Sequence, residues 1–380
     1  MRTRQQLEQI EKQILQPYAA TSATTKGREH PEDEHLYRTA FQRDRDRIIH
    51  SSAFRRLEYK TQVFINHEGD YYRTRLTHTL EVSQIARVCA RALGVNEDVA
   101  DSIALAHDLG HTPFGHSGQD QMNEIMKDHG GFEHNKQSFR IVTQLENPYP
   151  DFIGLNLTYE VLDGISKHIT EYDMPDNSLF VKEGYPSIEA QITNFADEIA
   201  YNSHDVDDGL KSGLITAKGL KDVKLWQTYF KKFTDEHVKL TPTQQRRYTV
   251  KAIINHLVSD LIKTTSDNIE KLGIKTIEDV HKNGCGLVSL SQETKKANKE
   301  LKAFLYQNLY THEKVLKMQD EAKVIVAKLF QTFMEKPFLI PDEFKKFYTN
   351  ENPERIVCDY IAGMTDRYAL GEYEGLGRTA

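Results

Sequence analysis

Only 21 glycines and 11 prolines interrupt these 380 residues. That is about 8% of the chain, against roughly 12% in average usage. So few breaks in so long a chain point to long helices, and they disfavour sandwich, barrel and disordered alternatives. The expectation is an all-α fold. The length suggests one large domain or two and supports a sizeable core.

Apolar periodicity and end signals place the helices. They are expected over 1–19, from about Arg73 to Leu93 with Gly94 just past the end, and from an Asn96 cap to Gly110. Further helices fit Gln119–Asp128, Glu133–Gln144, Thr158–His168 and Ser187–Leu210, then the lysine-rich segments Pro242–Leu272, Ser291–Tyr310 and Lys314–Glu335. Residues 21–35 read as a polar, mobile stretch, 111–118 as a glycine-punctuated loop, and 172–186 as a connecting loop. Strand-like alternation is confined to pieces such as Gln62–Ile65. This gives an N-terminal segment at 1–36, a helical core at 37–215 and a C-terminal helical region at 216–380, separate from the core or continuous with it.

A net charge of −7 argues against a general nucleic-acid or anionic-membrane surface. The three cysteines, Cys89, Cys285 and Cys358, lie far apart with no CxxC, so neither a disulfide framework nor a thiolate zinc site is expected. No apolar run approaches the ~18 residues of a membrane span, and the charged start MRTRQQLEQIEKQIL lacks a signal-peptide apolar core. A cytoplasmic protein is the expectation.

Sixteen histidines stand in the chain, eight of them between His67 and His168. Helical spacing sorts them, because residues three and four apart share a face. His78 precedes the apolar stripe Val82, Ile85, Cys89 by one turn; Val99, Ile103 and His107 are spaced by four, with Asp108 adjacent. Ile188, Ile192, Phe195 and Ile199 make one apolar face of their helix, and its other side carries the row Asp197, Tyr201, Asp205 and Asp208. Buried carboxylates need partners. His78, His107, Asp108 and Asp197 pointing into one core would satisfy each other around a single divalent cation. Two imidazoles and two carboxylates suit Mn²⁺, Fe²⁺, Ni²⁺ or Zn²⁺, and Mg²⁺ less comfortably.

This H…HD…D pattern resembles that of the HD-domain phosphohydrolases. Six blocks carry the resemblance further: FRRLEYKTQVF (54–64), TRLTHTLEV (74–82), HDLGHTPFGHSG (107–118), GFEHNKQSFRI (131–141), ADEIAYNSHD (196–205) and DYIAGMTDRYA (359–369). Together they are similar to deoxyguanosine triphosphate triphosphohydrolases and related dNTPases. The resemblance runs from about Tyr37 to Ala369. It implies an HD-domain helical core with additional C-terminal helices, and metal-dependent hydrolysis of a dNTP to deoxynucleoside and inorganic triphosphate by water attack at the α-phosphorus.

The resemblance also assigns roles. His116 matches the family's catalytic histidine by position, and His134 a histidine placed against the α-phosphate. Three residues after the catalytic histidine the family commonly carries an acid; here Gln119 stands there, able to hold a ring N–H but not to stabilise an imidazolium by charge. For the triphosphate, Arg75 on the His78 face is the first candidate, Lys167 the second, with Arg55 and Lys60 behind them. The alternative for the arginine-rich 38–56 stretch is a solvated or subunit-bridging helix. Tyr201 and Asp205 match a sugar platform and a 3′-hydroxyl acceptor, and Gln62 a pocket-lining residue. Family likeness further implies a homo-oligomer, often a hexamer, and in some members an activating nucleotide; whether single-stranded nucleic acid is a regulator is left open by the sequence, and the hydropathy gives no reason to expect a membrane partner. The competing expectations are another HD-type nucleotide phosphohydrolase, or a nucleotide-binding regulatory protein with weak catalysis.

Overall fold

The helices that dominate the computed structural model follow from the sparse breakers; it describes residues 1–62, 72–168, 184–236, 239–345 and 351–376. In chain order these are α1 (Arg4–Ile14), α2 (Ala40–Ile49), α3 (Ser52–Arg56), α4 (Arg75–Leu93), α5 (Glu97–Ala106), α6 (Gly115–Met126), α7 (His134–Arg140), α8 (Tyr159–Ser166) and α9 (Ile188–Ser212). There follow α10 (Lys224–Glu236), α11 (Pro242–Leu272), α12 (Ile277–Lys282), α13 (Gln292–Leu305), α14 (Glu313–Glu335), α15 (Asp342–Lys345), α16 (Pro353–Ala362) and α17 (Asp366–Leu376). Among the described residues extended pairing is limited to two isolated bridges, Arg28 with Thr158 and Thr61 with Thr74. The fold is all-α. None of the described helices is long and apolar enough to cross a membrane.

The expected end signals operate at the helices that carry the site. Thr74 caps α4 through a reciprocal box with Thr77, and Gly94 closes it at φ 70°. Asn96 caps α5 by accepting from the Asp98 and Val99 N–H groups. Two boundaries differ from expectation. Helix α5 stops at Ala106, so His107–Gly110 form a turn. Helix α6 starts at Gly115, which places His116 in a first helical turn and not in a loop; Phe114 enters it at φ 64°.

The polar 21–35 stretch is pinned, contrary to its composition. Ser22 donates twice to Glu11, Thr25 and the Lys26 N–H bond Glu160, and Arg28 pairs with the fully buried Asp44. Its charges serve as internal partners instead of solvating a loose segment. The arginine-rich stretch contributes to the same network, for the buried Arg47 forks onto Glu32 at 2.7 and 2.8 Å. The 172–186 loop and the Gln62–Ile65 piece lie largely outside the described residues.

One apolar core joins α4 and α9 to the C-terminal helices: Val82, Ile85, Cys89, Ile192 and Ile199 are buried with Leu257, Leu261 and Leu301. Each such fully buried aliphatic side chain contributes about 1.5–3 kcal/mol. A second core packs α6 through Phe114, Met122 and Met126 against Leu329 and Phe333 of α14 and Ile361 of α16. The C-terminal region therefore forms a wall behind the helix that bears His116.

Close backbone approach fixes α7 on the 107–110 turn. A Cβ on Gly110 would lie 2.1 Å from the His134 carbonyl oxygen and 2.3 Å from the Ser138 nitrogen. Ser138 stitches the same contact, accepting from the Gly110 N–H and donating to the His107 carbonyl. Gly110→Ala is expected to cost about 1–3 kcal/mol by overpacking, read as a fall in the urea midpoint.

Candidate metal and phosphate site

Helix α4, the 107–111 turn and α9 converge on four donors. His78 Nε2 lies 3.0 Å from Asp197 Oδ1 and 3.9 Å from Asp108 Oδ2. His107 Nε2 lies 3.5 Å from Asp108 Oδ1 and 3.8 Å from Asp197 Oδ1. His107 Nδ1 donates to the Ala104 carbonyl at 2.6 Å, which leaves its Nε2 lone pair facing the carboxylates. That nitrogen is buried with no hydrogen-bond partner among the described residues. A buried acceptor aimed at two carboxylates is unfavourable unless a cation stands between them, so the donor set fits a divalent ion. His78, His107 and Asp108 also meet as a group of ligand atoms within 4.8 Å of one another. Burial alone would raise the Asp108 carboxyl, but Arg75, His107 and His111 hold it well below the usual range. Asp197 is held low in the same way, by His168 and His78.

Beside this cluster three more histidines stand together. His111 Nε2 is 3.0 Å from Asp108 Oδ1, and its ring stacks on His134 at 3.9 Å between centroids. His116, exposed at the start of α6, sits edge-on to both, at 5.4 Å from His111 and 6.3 Å from His134. The structure gives Gln119 a specific task. Its Oε1 accepts both the His134 backbone N–H, at 3.2 Å, and the ring Nδ1–H, at 2.8 Å. Glu133, whose carboxylate caps α7, approaches the same Nδ1 at 3.2 Å. Burial and the neighbouring His111 push the His134 imidazole well below its ordinary value.

Of the cationic candidates, Arg75 faces the cluster. One terminal nitrogen donates to Asp108 Oδ2 at 2.9 Å; Nε and the other terminal nitrogen are buried without a hydrogen-bond partner among the described residues. That second nitrogen would be 3.2 Å from a Cβ on Gly115, beside the Thr61 and Gln62 carbonyls. Gln62 is itself buried, with Oε1 unpartnered among the described residues. Lys167 is buried and paired with Asp163 at 2.8 Å. Lys60 donates to the His111 and Ala362 carbonyls, and burial, with Arg56 nearby, pushes its ammonium down to about 7. Arg55 is not brought into the cluster: it is exposed and turns back onto the His50 carbonyl and Ser52 Oγ, both at 3.2 Å. On the α9 row, Tyr201 lies 6.0 Å from the Tyr310 ring, and the buried Asp205 accepts from the Tyr310 hydroxyl. Burial, opposed by that bond and helped by Asp208, raises Asp205 to about 7.

A model of the HD domain matches residues 75–202, and one of a phosphohydrolase-associated domain matches 288–375. A deoxyguanosinetriphosphate triphosphohydrolase-like protein of Geobacter sulfurreducens is 51% identical over 369 residues, covering 97% of this chain and 96% of its own. The correspondingly named proteins of Ralstonia pickettii and Leptospira interrogans are 49% and 47% identical, over 94% and 98% of this chain. The chain belongs to the deoxyguanosinetriphosphate triphosphohydrolase-like family.

As a member of that family it is an HD-domain phosphohydrolase, and several residues outside the H…HD…D pattern hold its site. Asp366 accepts from the Thr61 N–H at 2.8 Å, the Thr61 hydroxyl and the Phe114 N–H at 2.8 Å. Asp359 accepts from Gln137 and forks with Arg140 at 2.8 and 2.9 Å, fixing α7 to α16. Tyr310 reaches Asp205 across 105 positions of sequence. The DYIAGMTDRYA block was the available signal for the two aspartates; nothing in the spacing pointed to Tyr310. His204, two turns after Asp197 on α9, has its Nε2 2.5 Å from the Glu81 carboxylate. Burial pulls the His204 imidazole down to about 4.

Proposed function

We propose that the chain hydrolyses deoxynucleoside triphosphates to the deoxynucleoside and inorganic triphosphate, with His78, His107, Asp108 and Asp197 holding one divalent cation. The observation that carries this reading is the four-donor cluster lying between two unlike surfaces. On one side stand the unmet Arg75 donors and the His111–His134 stack; on the other is the Tyr201–Asp205 row. Such a bound cation would polarise a phosphate oxygen and lower the pKa of a water.

The protein's own groups supply the rest. Arg75 offers two donors to a phosphate, and guanidinium grips such oxygens in a planar fork. His134, its Nδ1–H held by Gln119, presents Nε2 to the α-phosphate and donates there once the triphosphate's negative charge favours its protonated form. His116 protonates the departing 5′-oxygen, which leaves poorly as an alkoxide. Lys167, Lys60 and Gln62 complete the phosphate and sugar surroundings, and Arg55 is left outside them. Asp205 accepts the 3′-hydroxyl, and the Tyr201 ring packs on a sugar that lacks a 2′-hydroxyl. Residues 37–215 form the reacting unit in this reading, and 216–380 brace it.

Resolving the products of metal-loaded protein with each dNTP tests the reading. Deoxynucleoside with triphosphate is expected. Orthophosphate or pyrophosphate would assign the chain to a different HD-type hydrolysis, and tight binding with no product to a regulatory role. Gln119→Glu preserves both acceptor contacts to His134 and adds charge, so kcat is expected to hold within about threefold or rise. A fall of about a hundredfold would show that the neutral amide itself is needed.

A further inference from the structure

The ring nitrogen of His78 that turns away from the carboxylates has a partner of its own. His78 Nδ1 lies 3.4 Å from His204 Nδ1, with the two rings perpendicular at 89° and 5.5 Å apart. His204 Nε2 lies 2.5 Å from Glu81 Oε2. Glu81, one turn after His78 on α4, is fixed in turn by Arg73 Nε at 3.0 Å, and Arg73 also binds Asp207 and Asp208 of α9. Both imidazoles are buried, while the Glu81 side chain is 42% exposed. A single file of groups therefore runs from the carboxylate cluster outward to solvent.

Only one proton arrangement satisfies that file when Nε2 of His78 faces a cation. A neutral imidazole that gives one nitrogen to a metal keeps its proton on the other, so His78 carries it on Nδ1 and must donate. His204 can accept at Nδ1 only if its own proton sits on Nε2, where the Glu81 carboxylate receives it. His107 obtains the same fixation from a backbone acceptor, the Ala104 carbonyl. Among the described residues His78 Nδ1 meets no such carbonyl and faces the His204 side chain instead.

We propose that His204 and Glu81 are positioning residues for His78, a carboxylate–imidazole–imidazole chain that fixes the tautomer and ring angle of one cation ligand. The inference rests on reading the four-donor cluster as a cation site. Partners of this kind, beyond the ligands themselves, typically change metal affinity by about 10–100-fold when removed.

The test is Mn²⁺ binding, by calorimetry on chelator-stripped full-length protein, with thermal unfolding followed in parallel. His204→Phe keeps a ring but removes the acceptor, and it is expected to weaken Mn²⁺ by about 10–100-fold. His204→Gln returns an acceptor oxygen and is expected to recover part of that loss. Glu81→Gln removes the charge that holds the His204 proton and is expected to weaken Mn²⁺ by about three- to tenfold. A merely structural His204 would lower the unfolding temperature and leave affinity unmoved, so an affinity within twofold of the unaltered protein in His204→Phe overturns the proposal. Should that variant fail to fold, Glu81→Gln decides by the same comparison. If the unaltered protein binds no Mn²⁺, the cation reading itself is overturned and the relay with it, an outcome distinct from loss in the variants alone.

Discussion

Replacing His107 with alanine is expected to abolish tight metal binding and to lower kcat/KM for dNTP hydrolysis by at least about 1,000-fold, a barrier increase of about 4 kcal/mol. The size follows from what is removed. His107 Nε2 is a buried acceptor facing two carboxylates, which are acceptors too, and a cation is what reconciles them. Without this ligand Asp108 keeps Arg75 and His111, so the fold should survive with the loss of one backbone-directed hydrogen bond, worth about 1 kcal/mol. Mn²⁺ titration and steady-state kinetics check both halves. Undiminished turnover in a variant that binds no metal would break the link between cluster and chemistry.

Asp366→Ala is expected to cost about 2–5 kcal/mol, the larger effect on stability. Asp366 is 4% exposed, and its carboxylate collects two backbone N–H groups and a hydroxyl from two segments that lie on either side of α4 and α5 in the chain. Deletion strands the Thr61 and Phe114 N–H groups in the interior, and each orphaned donor costs about 1–3 kcal/mol. Phe114 matters doubly because it holds a left-handed backbone, rare for a non-glycine residue, immediately before the turn that bears His116. Asp366→Asn retains one acceptor oxygen and should lose less. Urea unfolding gives the number, and a change under about 1 kcal/mol would show that the brace is not needed.

The sequence pattern reached some of this site and not the rest, for physical reasons. His78 and His107 are legible because helical spacing ties each to an apolar stripe; Asp108 follows from standing beside His107, and Asp197 from an acidic row that needs a cationic partner. Arg75 followed from sharing a face with His78. The start of α6 was misread because the glycines of HTPFGHSG suggest a loop; Gly118 is instead a helical residue whose missing Cβ admits the Pro113 carbonyl, 2.1 Å from where that atom would sit. The 21–35 stretch looked mobile because composition cannot reveal that its partners, Asp44 and Glu160, lie elsewhere in the chain. Tyr310 on Asp205, and Asp366 on Phe114, are contacts over 105 and 252 positions, created by tertiary packing and carried by no local period. Gln119 looked like a defect opposite His116; in the folded chain it holds His134.

The most direct measurement of the central claim is to run the reaction of metal-loaded protein with a dNTP in ¹⁸O-labelled water and follow the label by mass spectrometry. Attack at the α-phosphorus breaks the bond between that phosphorus and the 5′-oxygen, so ¹⁸O is expected in inorganic triphosphate and none in the deoxynucleoside. Label in the deoxynucleoside, or in orthophosphate or pyrophosphate released with a shortened nucleotide, would contradict it.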